Sequence, residues 1–277
     1  MMSNELQHAI EIAREASAVL LDIYATDFAV DFKGSGQSDP VTEADRRANA
    51  LIVARLREAF PDDGIIAEES EHNSSVFQKR RIWYVDPLDG TKEFVAKNGE
   101  FSVMIGLAVE GRAQLGVVLQ PSDGTLYAGE IGVGAFVERD GERTPLGVSA
   151  LHETHRLSLI VSRSHRPTAT NELMQRLGIA RELSSGSVGL KVGLIALQNA
   201  DLYVHMSDKS SAWDTCAPEA VLIAAHGRFT DLAGEPIKYG IPDVRTRRGI
   251  LACNAAAFEA VLPVVRELAE RQGLVKN

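Results

Sequence analysis

Trp83-Tyr-Val-Asp-Pro-Leu-Asp-Gly-Thr91 is the stretch on which the reading of this chain turns. An apolar run ends in Asp86, which predicts a strand that carries a carboxylate at its tip. Pro87 fixes φ and has no N–H to offer a neighbouring strand, so the chain turns there. Asp89 comes three residues after Asp86 and can face the same point. Gly90 allows close backbone approach, and Thr91 opens a short helix over 92–96. Two carboxylates beside the first turn of a helix make a divided site, with acids for a hard divalent cation and free N–H groups for a phosphate. The same residues also fit a plainer reading, an Asp-rich turn that caps a helix.

Helical spacing of apolar residues precedes this stretch, over 4–25 (Leu6, Ala9, Ile10, Ala13, Leu20) and over 42–60, where Thr42 can cap the start with Asp45 three residues on. A Gly/Ser/Asp-rich loop, 33–40, lies between the two helices. Short apolar runs at 64–67, 82–85, 102–110, 113–120, 125–130 and 134–138, separated by turn residues, predict an antiparallel meander. Gly132-Val-Gly134 reads as a hairpin turn. Beyond 147 the rhythm changes to alternating strands (157–162, 180–183, 202–205, 249–253) and helices (168–177, 188–199, 212–226, 256–271). The prediction is an α/β chain of layered α+β type: helices on one antiparallel sheet in 1–147, then a second, smaller α/β sheet layer in 148–277.

The 277 residues carry 29 basic and 38 acidic side chains, a net charge of −9, which argues against nucleic acid as a partner. An anionic substrate then needs a cation or a local basic patch to enter. Two cysteines, Cys216 and Cys253, make no disulfide framework, and a cytoplasmic location is the expectation. Charged residues near the N-terminus argue against a signal peptide, and the longest apolar run, 101–109, is too short to span a bilayer. His152 and His155 lack partners for a zinc pattern, and no Walker A loop or GxSxG elbow is present.

Three further acidic points stand out, each with an ordinary explanation of its own. Ile65-Ile-Ala-Glu-Glu-Ser70 ends an apolar strand in Glu68 and Glu69, which a solvated strand end also explains. Asp214 follows Trp213 at a helix start, where Asp is commonly a cap. Asp45 in Pro40-Val-Thr-Glu-Ala-Asp45 reads alone as helix surface.

Taken in order, the PVTEAD segment, the Glu pair, DPLDGT and Trp-Asp resemble the lithium-sensitive, magnesium-dependent phosphatase superfamily of inositol monophosphatase, fructose-1,6-bisphosphatase and the bisphosphate nucleotidases. The four blocks cover the chain from Asp45 to Asp214. DPLDGTKEF, Ser162-Arg-Ser-His165 and Trp213-Asp-Thr-Cys-Ala-Pro-Glu219 look like the 3′(2′),5′-bisphosphate nucleotidase, CysQ-like branch. The resemblance implies an αβαβα sandwich of the sugar-phosphatase type and two or three Mg²⁺ ions per active site. It assigns one ion to Glu68, Asp86 and the Leu88 carbonyl, a second to Asp86, Asp89 and Asp214, and a third, weaker one to Glu68. It places Asp45, Glu69 and Thr91 in the catalytic machinery that positions and deprotonates a water. Glu68, Leu88, Asp89, Gly90, Thr91, Ser187, Lys191 and Asp214 are its substrate contacts, with Gly90 and Thr91 offering backbone N–H groups to the phosphate. The implied reaction is hydrolysis of the 3′-phosphate of adenosine 3′,5′-bisphosphate to AMP and phosphate by a metal-activated water.

Clustered carboxylates repel one another, so the acids persist together as anions only around bound cations. Substrate selection falls to 148–277, with 182–191 and 207–211 as walls, and to Arg163, His165, Lys191 and Lys209 as partners for a second phosphate. Members of the inositol monophosphatase branch tend to carry an acid seven positions before the Trp-Asp aspartate; here that position is Ser207. Many members read WD-x-AAG where this chain has Thr215-Cys-Ala-Pro218, with Pro218 expected in the first helical turn. Trp83 and Trp213 are expected to pack beside the acids. Inositol monophosphate or a sugar bisphosphate is the competing substrate, and a non-catalytic nucleotide-binding regulator the competing class. A homodimer is compatible with the sequence.

Overall fold

The computed structural model describes residues 2–32, 40–71, 73–164, 166 and 168–276. Most of the predicted 33–40 loop, and His165, lie outside the described residues. In chain order the elements are α1 (Asn4–Tyr24), β1 (Val30–Phe32), β2 (Pro40–Thr42), α2 (Glu43–Ala59), β3 (Gly64–Ala67), β4 (Arg81–Asp89), α3 (Thr91–Val95), β5 (Ser102–Val109), β6 (Arg112–Leu119), β7 (Leu126–Glu130), β8 (Gly134–Arg139) and β9 (Glu142–Pro145). They continue with β10 (Ser158–Ser162), α4 (Ala169–Leu177), β11 (Arg181–Ser185), α5 (Val188–Ala196), β12 (Leu202–His205), α6 (Ala212–Ala224), β13 (Gly227–Thr230), β14 (Ile250–Asn254) and α7 (Phe258–Arg271).

Strands β3 to β9 form a seven-stranded sheet in sequential order. All its pairs are antiparallel except the first: β3 runs parallel to β4, with Ile65 beside Trp83. The predicted antiparallel meander is therefore corrected at its first strand. The chain leaves β3 through a loop and a short 3₁₀ turn (Ser74–Gln78) before re-entering β4, a connection long enough for a parallel partner. Strands β11-β10-β12-β14-β13 form the second sheet, with β10 parallel to β11 and β12, and β14 antiparallel to β12 and β13.

Alternation along β4 shows how the layers are built. Trp83 and Val85 point to one face, into a core shared with Ile10, Leu20, Ile52 and Leu56 of α1 and α2. Ile82 and Tyr84 point to the other, into a core shared with Val192 and Ile195 of α5 and Ala217 and Val221 of α6. Ile160, Tyr203 and Ala252 of the second sheet close that same core from below. Their neighbours Leu159, Leu202 and Leu251 face outward onto Leu173 of α4 and Val261 and Val265 of α7. Five layers result: α1/α2, first sheet, α5/α6, second sheet, α4/α7, the αβαβα sandwich. Both faces of the central strands are covered, so their sequences read as unbroken apolar runs.

One packing detail fixes α6. Gly106, Gly116 and Gly129 sit side by side on β5, β6 and β7. A Cβ on Gly116 would stand 2.2 Å from the Ala217 carbonyl oxygen, one on Gly106 2.6 Å from the Ala217 nitrogen, and one on Gly129 2.7 Å from the Val221 Cα. The helix backbone lies directly on a row of missing side chains, which sets the height of everything α6 carries.

Sequence reading found the helices and most strands to within a few residues. It missed β1, β2, β9 and β13, each only three or four residues long. Pro218 is the seventh residue of α6 rather than a first-turn residue; it has no N–H to give the Asp214 carbonyl one turn back. Among the described residues no helix is long and apolar enough to cross a membrane.

Candidate active site

Strand β4 ends irregularly. Asp86 pairs with Met104 and Asp89 with Ser102 of β5, so Pro87 and Leu88 together face the single residue Val103. This bulge re-aims the strand end and puts both aspartates on one cleft. Proline suits the position because it brings no N–H to leave unpaired. The Oδ1 of Asp86 accepts the Leu88 N–H at 3.0 Å, which folds the turn back on itself. Gly90 has φ +96, and a Cβ there would stand 3.0 Å from the Glu100 carbonyl oxygen. Thr91 then begins α3, as predicted one residue later.

The other carboxylates arrive from elsewhere in the fold. Glu68 follows β3, which the parallel pairing sets beside β4; its N–H reaches the Val85 carbonyl at 3.1 Å. Asp214 is the third residue of α6 and its Oδ2 accepts the Ser211 N–H at 2.7 Å. Asp214 is thus the cap that its place at a helix start predicted, and it also lines the cleft. Glu68, Asp86, Leu88, Asp89, Gly90, Thr91, Lys191 and Asp214 all line one cleft of about 670 Å³. Asp86 is buried within it, and its pKa is pushed well up, first by burial and then by the charges of Glu68, Asp89 and Asp214. Residues 125 positions apart along the chain (214 − 89) therefore share one electrostatic environment.

Asp89 is held from the second half of the chain. Its Oδ2 accepts the Ser187 hydroxyl at 2.5 Å and the Gly189 N–H at 3.2 Å. Ser187 is also the N-cap of α5, accepting the Leu190 N–H at 3.2 Å, and it meets Ser102 of β5 at 2.8 Å. The carboxylate consequently sits at the start of a nine-residue helix, where its charge is favoured. Ser187 itself is 1% exposed and not on the cleft wall, so the expectation of a substrate contact is corrected: it positions Asp89.

Asp45 is corrected too. Alone it read as helix surface, yet it is 2% exposed. Its Oδ2 accepts both the N–H and the hydroxyl of Thr42, each at 2.7 Å, completing the capping box of α2. Its Oδ1 lies 3.3 Å from the Thr91 hydroxyl, which also lies 3.2 Å from the Leu88 carbonyl. Burial raises the Asp45 pKa, the Thr42 hydrogen bonds pull it back, and the Glu69 charge raises it again; the net direction is up. Neither Asp45 nor Glu69 lines the cleft; Asp45 reaches it through the Thr91 hydroxyl, and Glu69 is close enough for its charge to act on Asp45.

Lys191 on α5 is buried. Its Nζ is bound by the Gly186 carbonyl and stands 3.5 Å from that of Ser185 and 5.2 Å from the Tyr203 ring centroid. Burial pushes its pKa down to about 8 against the opposing pull of Asp89, Glu93 and Glu100. Lys209 lines the rim as expected, whereas Glu182 and Ser207 do not reach the cleft. Arg163 is held by Glu100 in a two-pronged ion pair at 2.5 and 2.6 Å. Sequence reasoning missed Arg245, Glu93 and His205 on the cleft wall. Glu93 lies within DPLDGTKEF but was not singled out there, whereas no local motif marks Arg245 or His205. Trp83 packs in the core, stacks on Phe60 and donates to Asp63 at 2.9 Å, while Trp213 lines the cleft.

Among the described residues, no group of three or more His, Cys, Asp and Glu side chains closes tightly enough to grip an ion as it stands. The fit to a metal rests on charge and donor type instead. Four carboxylates and a carbonyl face one cleft, and Asp86 as an anion needs compensating positive charge there. An all-oxygen donor set selects a hard cation such as Mg²⁺.

Residues 1–270 match the sequence profile of the inositol monophosphatase family. The chain is 35% identical over 235 residues to the 3′(2′),5′-bisphosphate nucleotidase CysQ of Escherichia coli strain K12, covering 84% of this chain and 93% of that one. The crystal structure of CysQ from Bacteroides thetaiotaomicron superposes with a TM-score of 0.76 at 32% identity, covering 91% of this chain and 97% of the other. An inositol monophosphatase from Thermotoga maritima superposes with a TM-score of 0.80 at 27% identity, covering 97% and 99%.

Proposed function

The chain belongs to the inositol monophosphatase family, whose members are metal-dependent phosphatases, and on that premise we propose that it hydrolyses the 3′-phosphate of adenosine 3′,5′-bisphosphate, releasing AMP and phosphate. The observation that supports catalysis is Asp86, a buried carboxylate facing Glu68, Asp89 and Asp214 across one cleft. The observation that supports a nucleotide bisphosphate is the similarity to CysQ over most of both chains.

Glu68, Asp86, Asp89, Asp214 and the Leu88 carbonyl are the oxygens that would hold two or three Mg²⁺ ions. When bound, Mg²⁺ neutralises the phosphoryl group and acidifies water. The backbone N–H groups of Gly90 and Thr91 orient the phosphate. The Thr91 hydroxyl has one proton and two acceptors, Asp45 Oδ1 and the Leu88 carbonyl, at 3.3 and 3.2 Å. Once that carbonyl is engaged elsewhere, the hydroxyl turns to Asp45 and presents its lone pairs to the attacking water. Asp45 Oδ1 is then the proton's destination, reached through Thr91 Oγ1. The Glu69 charge keeps Asp45 a better base than an ordinary aspartate. Lys191, on the cleft wall behind Asp89, supplies positive charge to the bound anion.

The test is phosphate release from adenosine 3′,5′-bisphosphate, inositol 1-phosphate and fructose 1,6-bisphosphate, each with Mg²⁺, with added lithium and with EDTA. The bisphosphate nucleotide is turned over fastest, only with Mg²⁺, and more slowly with lithium. The fit to the Thermotoga inositol monophosphatase makes inositol 1-phosphate the specific competitor; its preference would overturn the nucleotide assignment while leaving the phosphatase intact. Nucleotide binding with no turnover of any ester would overturn both.

A further inference from the structure

The rim of the cleft beside Asp214 carries a cation that the reaction above does not use. Residues 244–246 run against 210–212, with the Ala212 N–H donating to the Val244 carbonyl and the Thr246 N–H to the Ser210 carbonyl, each at 2.7 Å. Between them Ser211 and Arg245 pair in a single antiparallel bridge. Ser211 caps α6, and Asp214 lies three residues on. The backbone of Arg245 is thereby anchored at the start of the helix that carries Asp214, while its exposed side chain lines the cleft.

Its arginine neighbours are engaged. Arg247 pairs with Asp243 at 2.7 Å, and Arg248 with Asp231 at 3.4 Å. Asp243 feels the Arg245 charge but gives Arg245 only an acceptor for its backbone N–H, at 3.2 Å. Among the described residues the Arg245 guanidinium makes no hydrogen bond and no ion pair. Lys191 differs: its charge is already solvated by two main-chain carbonyls.

We propose that Arg245 grips the second, untransferred phosphate of a bisphosphorylated substrate and so sets preference for bisphosphates over monophosphates. The inference rests on the phosphatase reading of the cleft. Its basis is charge and shape. The acids lie together on the floor, so a phosphate away from the ions meets a negative surface unless a cation stands on the rim. A guanidinium presents donors in a planar fork that matches two phosphate oxygens, which an ammonium does not. Lys209 shares the rim and adds charge without that geometry.

The experiment compares adenosine 3′,5′-bisphosphate with adenosine 3′-monophosphate on the Mg²⁺-loaded full chain, for wild type, Arg245→Ala and Arg245→Lys. In Arg245→Ala the ratio of kcat/KM for bisphosphate over monophosphate falls by about 10- to 100-fold, the factor a charged hydrogen-bonded pair carries. The loss sits in KM for the bisphosphate. Arg245→Lys falls between the two, because it keeps the charge and loses the fork. A ratio within twofold of wild type in Arg245→Ala, or equal loss on both substrates, overturns the assignment and leaves the phosphatase reading standing. Wild-type protein that turns over neither ester removes that reading and this one with it.

Discussion

Replacing Gly116 by alanine adds one methyl group where the fold has no room. The new Cβ would stand 2.2, 2.6 and 2.7 Å from the O, Cα and C of Ala217, against 3.4–4 Å for ordinary contact. All three atoms are backbone, so no rotamer change relieves the overlap, and α6 must withdraw from the sheet by about 1 Å. Overpacking of this kind costs about 1–3 kcal/mol, and a backbone clash puts Gly116→Ala near the upper end. For a chain of this size, about 2–4 °C per kcal/mol converts that cost to a fall in Tm of about 5–10 °C. The second effect is local. Asp214 lies three residues before Ala217 on the same helix, so it moves with the helix, and a displacement of about 1 Å in a catalytic group costs on the order of 100-fold in rate. Scanning calorimetry with EDTA and with Mg²⁺, and phosphate release at saturating substrate, measure both. Gly147→Ala is the control, because a Cβ there meets nothing within 4 Å. If Gly116→Ala melts within a degree of wild type and turns over normally, the glycine row does not set the height of α6.

Asp86→Asn removes a buried charge that its neighbours oppose. In EDTA the variant melts above wild type at neutral pH, while phosphate release in Mg²⁺ falls by at least about 100-fold; a lower melting point in EDTA would contradict the convergence of charge on Asp86. Glu219, buried on α6, accepts the Tyr239 hydroxyl at 2.5 Å, and burial raises its pKa from 4.5 to about 8. The folded state thus holds a proton that the unfolded state has released between these values, so this group's contribution to stability is full below about pH 4.5 and is lost as pH rises towards 8. Glu219→Gln flattens that slope in urea unfolding measured at pH 5, 6, 7 and 8; an unchanged slope would refute the assignment.

The acids were legible because each announces itself at the end of a regular element: Asp86 and Asp89 after an apolar strand, Glu68 after another, Asp214 at a helix start. What the sequence could not give was the other half of each environment. Asp45 looked like surface because nothing in Pro40-Val-Thr-Glu-Ala-Asp45 shows that Thr91, 46 residues later, covers it. Ser187 looked like a substrate wall because its bond to Asp89 spans 98 residues. The parallel β3 was missed because four apolar residues carry no sign of strand direction. Arg245 carries no motif at all and reaches the cleft through one bridge to Ser211. The row of Gly106, Gly116 and Gly129 lies on three different strands, and its meaning exists only when a helix is laid across it.

The position of α5 and α6 between the two sheets bears on how the protein can be made. A nascent chain that has emerged only to residue 147 has its first sheet complete, but Ile82, Tyr84, Met104, Val118 and Tyr127 are bare on one face. That face is closed by residues synthesised much later, and the floor of the cleft lacks Asp214 until then. A chain cut short before α5 and α6 would leave that apolar face uncovered, the kind of surface that makes incomplete folds prone to aggregate.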